Sequence, residues 1–232
     1  MIIGVVGRSV DSEGRVCSVG TGKDATADAL AASGFVKMSF ADEMKRFLLR
    51  LGFTKRQLWG PSEFRDTPNP ALGGCTARHA LKTLGTEWGR DMICQTIWVA
   101  QTMSFAAELL SSRGRLMYSQ TEGLIPRVER GPQGEFERED VPEIPCAGVV
   151  VSDTRFKAEA RGLKERGGKL LLVFRPLLRL PKDADLEHQS ENDLNDWGVD
   201  NPVWDYCLHN TSSLESLKLR AVEAVNSLRG TV

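Results

Sequence analysis

Short, continuously apolar runs alternate along this chain with longer segments whose apolar residues recur every three or four positions. Ile2-Ile3-Gly4-Val5-Val6-Gly7 is the first run, closed by glycine, and has the pattern of a strand covered on both faces. Residues 8–20 are polar and turn-rich. A helix is predicted from Lys23 through Ala27, Leu30 and Ala31, stopped by Gly34; a second strand over 35–40 and a second helix over 42–51 follow. The stretch 59–74 contains Pro61, Pro68, Pro70, Gly73 and Gly74 and reads as a loop. Thr76 then has the character of an N-cap, Leu81, Leu84 and Trp88 fall at helical spacing, and a further helix fits 91–111. Residues 115–145 have weak periodicity and dense charge, and read as an excursion or mobile arm. A third buried strand over 147–151 ends in Ser152-Asp153, and a helix through Phe156, Ala160 and Leu163 is stopped by Gly167-Gly168. A fourth strand covers 169–174, a polar loop 176–202 and a short last strand 206–209; Leu214, Leu217, Ala221, Val225 and Leu228 form one apolar helical face.

Strands alternating with helices predict an α/β fold in three layers, a largely parallel sheet with helices on both faces. The 232 residues suffice for one domain with a sizeable core. Lys and Arg total 30 against 31 Asp and Glu, which lacks the basic excess of a protein that binds polymeric nucleic acid but allows a local arginine cluster on a small anion. The 5 cysteines are scattered, odd in number and never in a CxxC pair, which fits reduced thiols in the cytoplasm. No apolar run is long enough to span a bilayer and the N-terminus lacks a signal-peptide layout, so no membrane partner is expected.

Gly20-Thr21-Gly22-Lys23-Asp24 stands between a strand and a helix. Glycines let a loop curl so that several N–H groups converge on an anion, the helix N-terminus adds partial positive charge, and a lysine there reaches the outer phosphates of a nucleotide. The spacing departs from GxxxxGK[ST]: the first glycine would fall on Cys17, and Asp24 replaces the hydroxyl residue. Keeping Gly7-Arg8 as the start of the loop, with about ten residues inserted before Gly20, restores the pattern. Asp24 is then a candidate metal ligand, with Thr26 two positions on; the plainer reading of this stretch is a turn that caps a helix. Asp153, just beyond a buried strand, is placed where doubly wound sheets bind ligands, and is a second candidate for the metal or else an N-cap for a helix starting at Thr154. Arg65, Arg78, Arg90, Arg127, Arg155 and Arg175 lie in loops or near element ends, and guanidinium forks suit the oxygens of a transferring phosphoryl group, although a solvated surface is the commoner place for any one of them. Trp88 and Trp98 are suited to stacking on a base or, more commonly, to a core.

Taken in order along most of the chain, these residues resemble the bacteriophage deoxynucleoside monophosphate kinases, a branch of the P-loop nucleoside monophosphate kinases. The likeness runs through Gly22-Lys23-Asp24, Phe40-Ala41-Asp42 with Lys45, and Arg78-His79-Ala80-Leu81-Lys82-Thr83-Leu84-Gly85-Thr86. It continues through Ser152-Asp153-Thr154-Arg155-Phe156, Val173-Phe174-Arg175-Pro176, His188 with Ser190-Glu191, and Asn210. Ala25, where the family usually has threonine, and the insertion after Arg8 depart from it.

The resemblance implies a single P-loop kinase domain over 1–232, with a substrate-side helical region at about 41–112 and an inserted arm or lid at about 113–146. It implies that Gly20, Thr21, Gly22, Lys23, Asp24, Ala25, Thr26 and Arg175 bind ATP, and that Asp42, Lys45, Arg65, Arg78, Gly85, Thr86, Trp88 and Arg90 border the monophosphate acceptor. Lys23, Asp153 and Arg155 would be catalytic, and Mg2+ would arrive with ATP on Asp24 and Asp153. The implied partners are ATP and a deoxynucleoside monophosphate, in the host cytoplasm if the chain is phage-encoded, with a homodimer compatible with related folds. Two other readings stay open: a different small-molecule P-loop kinase resembling a dephospho-coenzyme A kinase, and an inactive nucleotide-binding module, which the missing hydroxyl residue after Lys23 keeps in play.

Overall fold

The first apolar run becomes the middle of a parallel sheet. The computed structural model describes residues 1–10, 16–18, 20–127, 146–176 and 193–229. In chain order the elements are β1 (Ile2–Val10), β2 (Val16–Cys17), α1 (Lys23–Ala32), β3 (Phe35–Met38), α2 (Asp42–Arg50), α3 (Lys55–Trp59), β4 (Pro68–Asn69), β5 (Cys75–Thr76), α4 (Ala77–Lys82), a π-helical stretch (Thr83–Ile93), α5 (Ile97–Ser111), β6 (Leu116–Ser119), β7 (Gly123–Pro126), β8 (Gly148–Thr154), α6 (Lys157–Glu165), β9 (Lys169–Arg175), β10 (Tyr206–His209) and α7 (Leu214–Arg229). They divide into two compact units, a sheet unit of Met1–Ser39 with Cys146–Val232 and a helical unit of Phe40–Pro145.

In the sheet unit the strand order is β10-β9-β1-β8-β3, with every one of these pairs parallel. From β1 the chain crosses to β3 at one edge and fills the gap with β8, then passes to the other side of β1 for β9 and β10. The direction of winding therefore reverses at β1, and the crevice at the carboxyl ends of such strands is where open α/β sheets bind ligands. Ser39, Asp153, Arg175 and Asn210 lie at these carboxyl ends, while Gly7 lies within β1, which runs on to Val10. Residues 2–9 are all buried because both faces of β1 are covered. Ile3 and Val5 pack with Ala27 and Leu30 of α1 and with Leu217, Ala221 and Val225 of α7. Gly4 faces α6 so closely that a Cβ there would lie 2.7 Å from Leu163 Cδ1. The α/β sheet with helices on both faces is thus as the alternation predicts. On α7, Leu214 departs from the expected apolar face and is exposed.

The polar stretch after Gly7 departs from expectation in a useful way. β1 continues to Val10 and pairs antiparallel with β2, Ser9 opposite Cys17 and Val10 opposite Val16. A polar residue is tolerated in this buried strand because Ser9 Oγ lies 2.9 Å from Cys17 Sγ and 3.3 Å from Cys17 O.

The helical unit is built on Leu48, Phe53, Leu58 and Ala77. The expected N-cap is present, Thr76 Oγ1 accepting from the His79 N–H. Thr54 and Gln57 form a reciprocal cap on α3, so the predicted loop over 59–74 begins with the end of a helix; it also holds 3₁₀ turns at Ser62–Asp66 and Pro70–Leu72. The helix expected over 91–111 starts only at Ile97, because Cys94 is extended (φ −165°) and separates it from the π-helical stretch. The expected arm begins as the β6–β7 hairpin; residues 128–145, like 177–192 with His188, Ser190 and Glu191, lie outside the described residues.

Candidate active site

The β1–β2 pairing accounts for the spacing between Gly7 and Gly20. Ser9 and Val10 pair with Cys17 and Val16, and Thr21 and Lys23 lie against Gly7. A Cβ on Gly7 would run into Thr21 Oγ1 and stand 3.0 Å from Lys23 Cδ, so glycine is needed for the loop to rest on β1. Gly20 and Gly22 take the left-handed conformation (φ 65° and 93°) that curls the loop. Two side chains from distant strands hold it. Arg175, the last residue of β9, donates from Nη1 to Gly20 O at 3.0 Å. Asn210, just past β10, donates from Nδ2 to Thr21 O at 2.9 Å, and its own N–H is fixed on Phe174 O at 2.7 Å. Asn210 is among the residues on which the resemblance rests, but this contact is not visible in sequence, because its partner lies 189 positions away.

Lys23 is the first residue of α1 and is buried along its stem; its Nζ lies 3.1 Å from the exposed Asp24 carboxylate. Ala25 packs partly against the core. Thr26 is wholly buried, its N–H on Gly22 O at 2.9 Å, and its hydroxyl has no hydrogen-bond partner among the described residues.

Asp153 is not the N-cap of the following helix. That helix starts at Lys157; Glu159 accepts from the N–H groups of Arg155 (2.8 Å) and Phe156 (3.0 Å), and Asp193 from that of Lys157 (2.6 Å). With the cap filled by others, the Asp153 carboxylate accepts from Ser39 Oγ at 2.5 Å, the short distance of a charge-assisted bond. Ser39, buried at the end of β3, was passed over in sequence. Arg8, beside Gly7, is also buried and donates from Nη1 to Asn195 Oδ1 at 2.7 Å.

In the helical unit, Asp42 opens α2 and is 1% exposed. Its Oδ1 accepts from Trp59 Nε1 (3.3 Å) and its Oδ2 from Tyr118 Oη (2.8 Å). Burial, and then the Asp42 carboxylate, push the Tyr118 phenol above its ordinary range. Arg46 is a further residue that sequence reasoning missed: it pairs with Glu43 at 2.7 Å and donates to Tyr118 Oη (3.2 Å) and Gln120 O (3.0 Å), fastening the β6–β7 turn to α2. The i, i+3 spacing from Glu43 was the signal available for it. Lys45 Nζ lies 5.8 Å from the centre of the Trp59 ring.

Arg65 and Arg78 are gathered at Asp66. Arg78 grips both carboxylate oxygens, from Nε at 2.6 Å and Nη2 at 2.9 Å, and also donates to Ser62 Oγ at 3.2 Å. The Arg78 fork, with a smaller contribution from the charge of Arg65, holds the Asp66 carboxyl below the usual carboxylate range. Gly85 and Gly89 let the π-helical stretch lie flat, since a Cβ would come within 2.8 Å of Met44 Sδ and 2.6 Å of the Trp98 ring. Trp98 Nε1 donates to Gly85 O at 2.9 Å. Trp88 is 44% exposed, its ring centre 6.5 Å from that of Trp98. Thr86 and Arg90 are half-buried on the same stretch, and Arg127 follows β7 with its N–H on Arg115 O at 2.8 Å.

Among the described residues no group of three or more His, Cys, Asp or Glu is placed to hold a metal ion. Magnesium carried on substrate phosphates takes one or two carboxylates rather than a protein cage, and the carboxylates of Asp153 and Asp24 are of the kind such an ion takes. No helix among the described residues is long and apolar enough to cross a membrane.

No protein-family model matches the chain. The chain is similar to a protein of Acanthamoeba polyphaga mimivirus that carries the provisional name deoxynucleotide monophosphate kinase, 28% identical over 210 residues, which are 90% of this chain and 92% of the relative. The likeness is thus to a viral protein with a nucleotide-kinase name, from an amoeba virus rather than a bacteriophage, and it spans nearly the whole of both chains.

Proposed function

We propose that the protein is a deoxynucleoside monophosphate kinase that transfers the γ-phosphoryl group of ATP to a deoxynucleoside monophosphate, giving ADP and the deoxynucleoside diphosphate. The observation that carries this reading is the glycine loop seated on Gly7 of the central strand, with Lys23 the first residue of the helix that follows. The name of the mimivirus relative supports the acceptor class.

The acceptor's phosphate oxygen is already anionic, so the reaction needs positioning and charge neutralisation rather than a strong base. Backbone N–H groups of the loop and of the first turn of α1 cradle the donor phosphates, and Lys23 exchanges Asp24 for the γ-phosphate. Arg175 and Asn210 keep the loop from spreading as charge builds on it. Bound with ATP, magnesium would supply Lewis-acid neutralisation, and Asp153, oriented by Ser39, and Asp24 are the residues to hold it. Arg155 follows Asp153 and brings a further cation to that strand end. In the helical unit Arg78 and Arg65 serve the acceptor's phosphate and the exposed face of Trp88 its base, while Asp42 fixes Trp59 and Tyr118 as walls.

The test is ADP release from ATP and magnesium with dAMP, dGMP, dCMP and dTMP in turn, and with their ribose counterparts. Release that depends on a deoxynucleotide establishes the activity and names the acceptor. ATP binding with no release under any acceptor would favour the inactive module, the reading that draws on Asp24 after the lysine. Release with dephospho-coenzyme A in place of a nucleotide would move the assignment to that other kinase class.

A further inference from the structure

Each unit holds a phosphate-binding cation of the proposed reaction on a neighbouring carboxylate: Lys23 on Asp24 at 3.1 Å, and Arg78 on Asp66 at 2.6 and 2.9 Å. The second pair is the more telling. Arg78 meets Asp66 through the two-donor edge with which a guanidinium takes two oxygens of a phosphate, so the carboxylate stands in the geometry that a phosphate would adopt. Arg65 adds its charge at the same carboxylate. Both partners are exposed, with side-chain exposures of 52% and 56%, and an exposed ion pair is held weakly enough to exchange. Ser62 Oγ and O remain as acceptors for Arg78 Nη2 when the carboxylate leaves.

We propose that Asp66 is a specificity-determining residue that occupies the Arg78 fork until the acceptor's phosphate displaces it. The inference rests on the acceptor-side reading of Arg78 given above. A phosphate monoester carries about 1.5 to 2 negative charges near neutral pH, against one on the carboxylate, and so it wins the fork. A nucleoside without phosphate offers nothing to replace Asp66 and gains nothing from Arg78. Asp66 thereby lowers affinity for every ligand while raising the distinction between phosphorylated and unphosphorylated ones.

Four proteins test this: wild type, Asp66→Asn, Arg78→Ala and the double variant, with urea midpoints to check that each is folded. Under the kinase assay at fixed low ionic strength, Asp66→Asn should lower the acceptor KM about two- to five-fold, the scale of a surface ion pair. The KM for ATP should be unchanged, and the gain should vanish in the Arg78→Ala background. A raised acceptor KM in Asp66→Asn would make the aspartate a strut that positions Arg78, and an equal gain in both backgrounds would reduce it to bulk charge; either result overturns the proposal. If wild type turns over no acceptor, the kinase reading fails on its own account. The same four proteins, each carrying Lys23→Ala, are then compared by calorimetric titration with inorganic phosphate. Tighter phosphate binding by Asp66→Asn only when Arg78 is present keeps Asp66 as the gate of an anion site, and no such tightening removes it.

Discussion

Replacing Gly7 with alanine puts one methyl group beneath the turn of Gly20 to Lys23. Gly7 is not among the glycines with positive φ, so the backbone accepts alanine and the effect is steric. The new methyl would overlap Thr21 Oγ1 and stand 3.0 Å from Lys23 Cδ. Comfortable carbon–carbon contact is about 3.5–4.0 Å, so the loop must lift by roughly 0.5–1 Å. Thr21 is 1% exposed and Lys23 9%, which leaves neither a free direction in which to give way. Overpacking of this kind costs about 1–3 kcal/mol of stability. A displacement near 1 Å at a reacting centre costs on the order of 10²-fold in rate. The expected outcome is a loss of ATP affinity and turnover of roughly ten- to a hundred-fold, with a modest fall in urea midpoint. Calorimetric ATP titration beside urea unfolding measures both. Adding Thr21→Gly removes the obstructing side chain and should return part of the affinity. If Gly7→Ala binds ATP as wild type does, the loop does not rest on Gly7, and the reading of the residues between as an insertion into a phosphate loop is refuted.

Other outcomes follow from the same structure. Lys23→Ala should abolish transfer, by about 10²-fold or more, while the urea midpoint stays near wild type; full activity would remove the phosphate-loop reading. Asn210→Ala leaves the Thr21 carbonyl without its side-chain donor and should lower stability by about 1–3 kcal/mol, with weaker ATP binding and no change in acceptor KM at saturating ATP. Tyr118→Phe takes one donor from the buried Asp42 carboxylate and should lower the urea stability by a similar ~1–3 kcal/mol; an unchanged midpoint would show that this network is not structural. Burial works upward on the Asp205 carboxyl, but hydrogen bonds from Lys164 and the Leu170 N–H and the nearby Lys169 charge outweigh it, and its pKa lies below the usual range. A depressed folded pKa gives stability that is present above the ordinary carboxylate pKa of about 4 and lost as pH falls through the lower folded value. Thermal melts down the acid limb should therefore show a shallower loss for Asp205→Asn, which starts from a lower melting temperature at neutral pH.

Much of the local structure was legible from the residues. Continuous apolar runs are strands because the central strands are buried on both faces, as Ile2 to Ser9 are. Thr76 is a cap because its hydroxyl and the His79 N–H belong to one turn of chain. Lys23 was read as the first residue of a helix because glycines, lysine and helix start are contiguous. Asp153 was correctly placed at a strand end, but its partner was not visible, because Ser39 lies 114 positions away. The late start of α5 was missed because apolar spacing runs on through the π-helical stretch, and Cys94 carries no breaker signal.

By itself, then, the sequence determined the alternation of strands and helices, the caps, and the glycines and lysine of the turn that opens α1, all of which depend on neighbours within a turn or a strand. Only the tertiary structure decided that β1 lies between β8 and β9, that a hairpin brings Gly20 to Lys23 back onto Gly7, that Arg175 and Asn210 hold the loop, and that Asp66 fills the Arg78 fork. These are pairings across 12 to 189 residues. Hydrophobic periodicity says which side of an element is buried; it does not name the partner, which is settled only when the folded chain brings distant donors and acceptors within bonding distance.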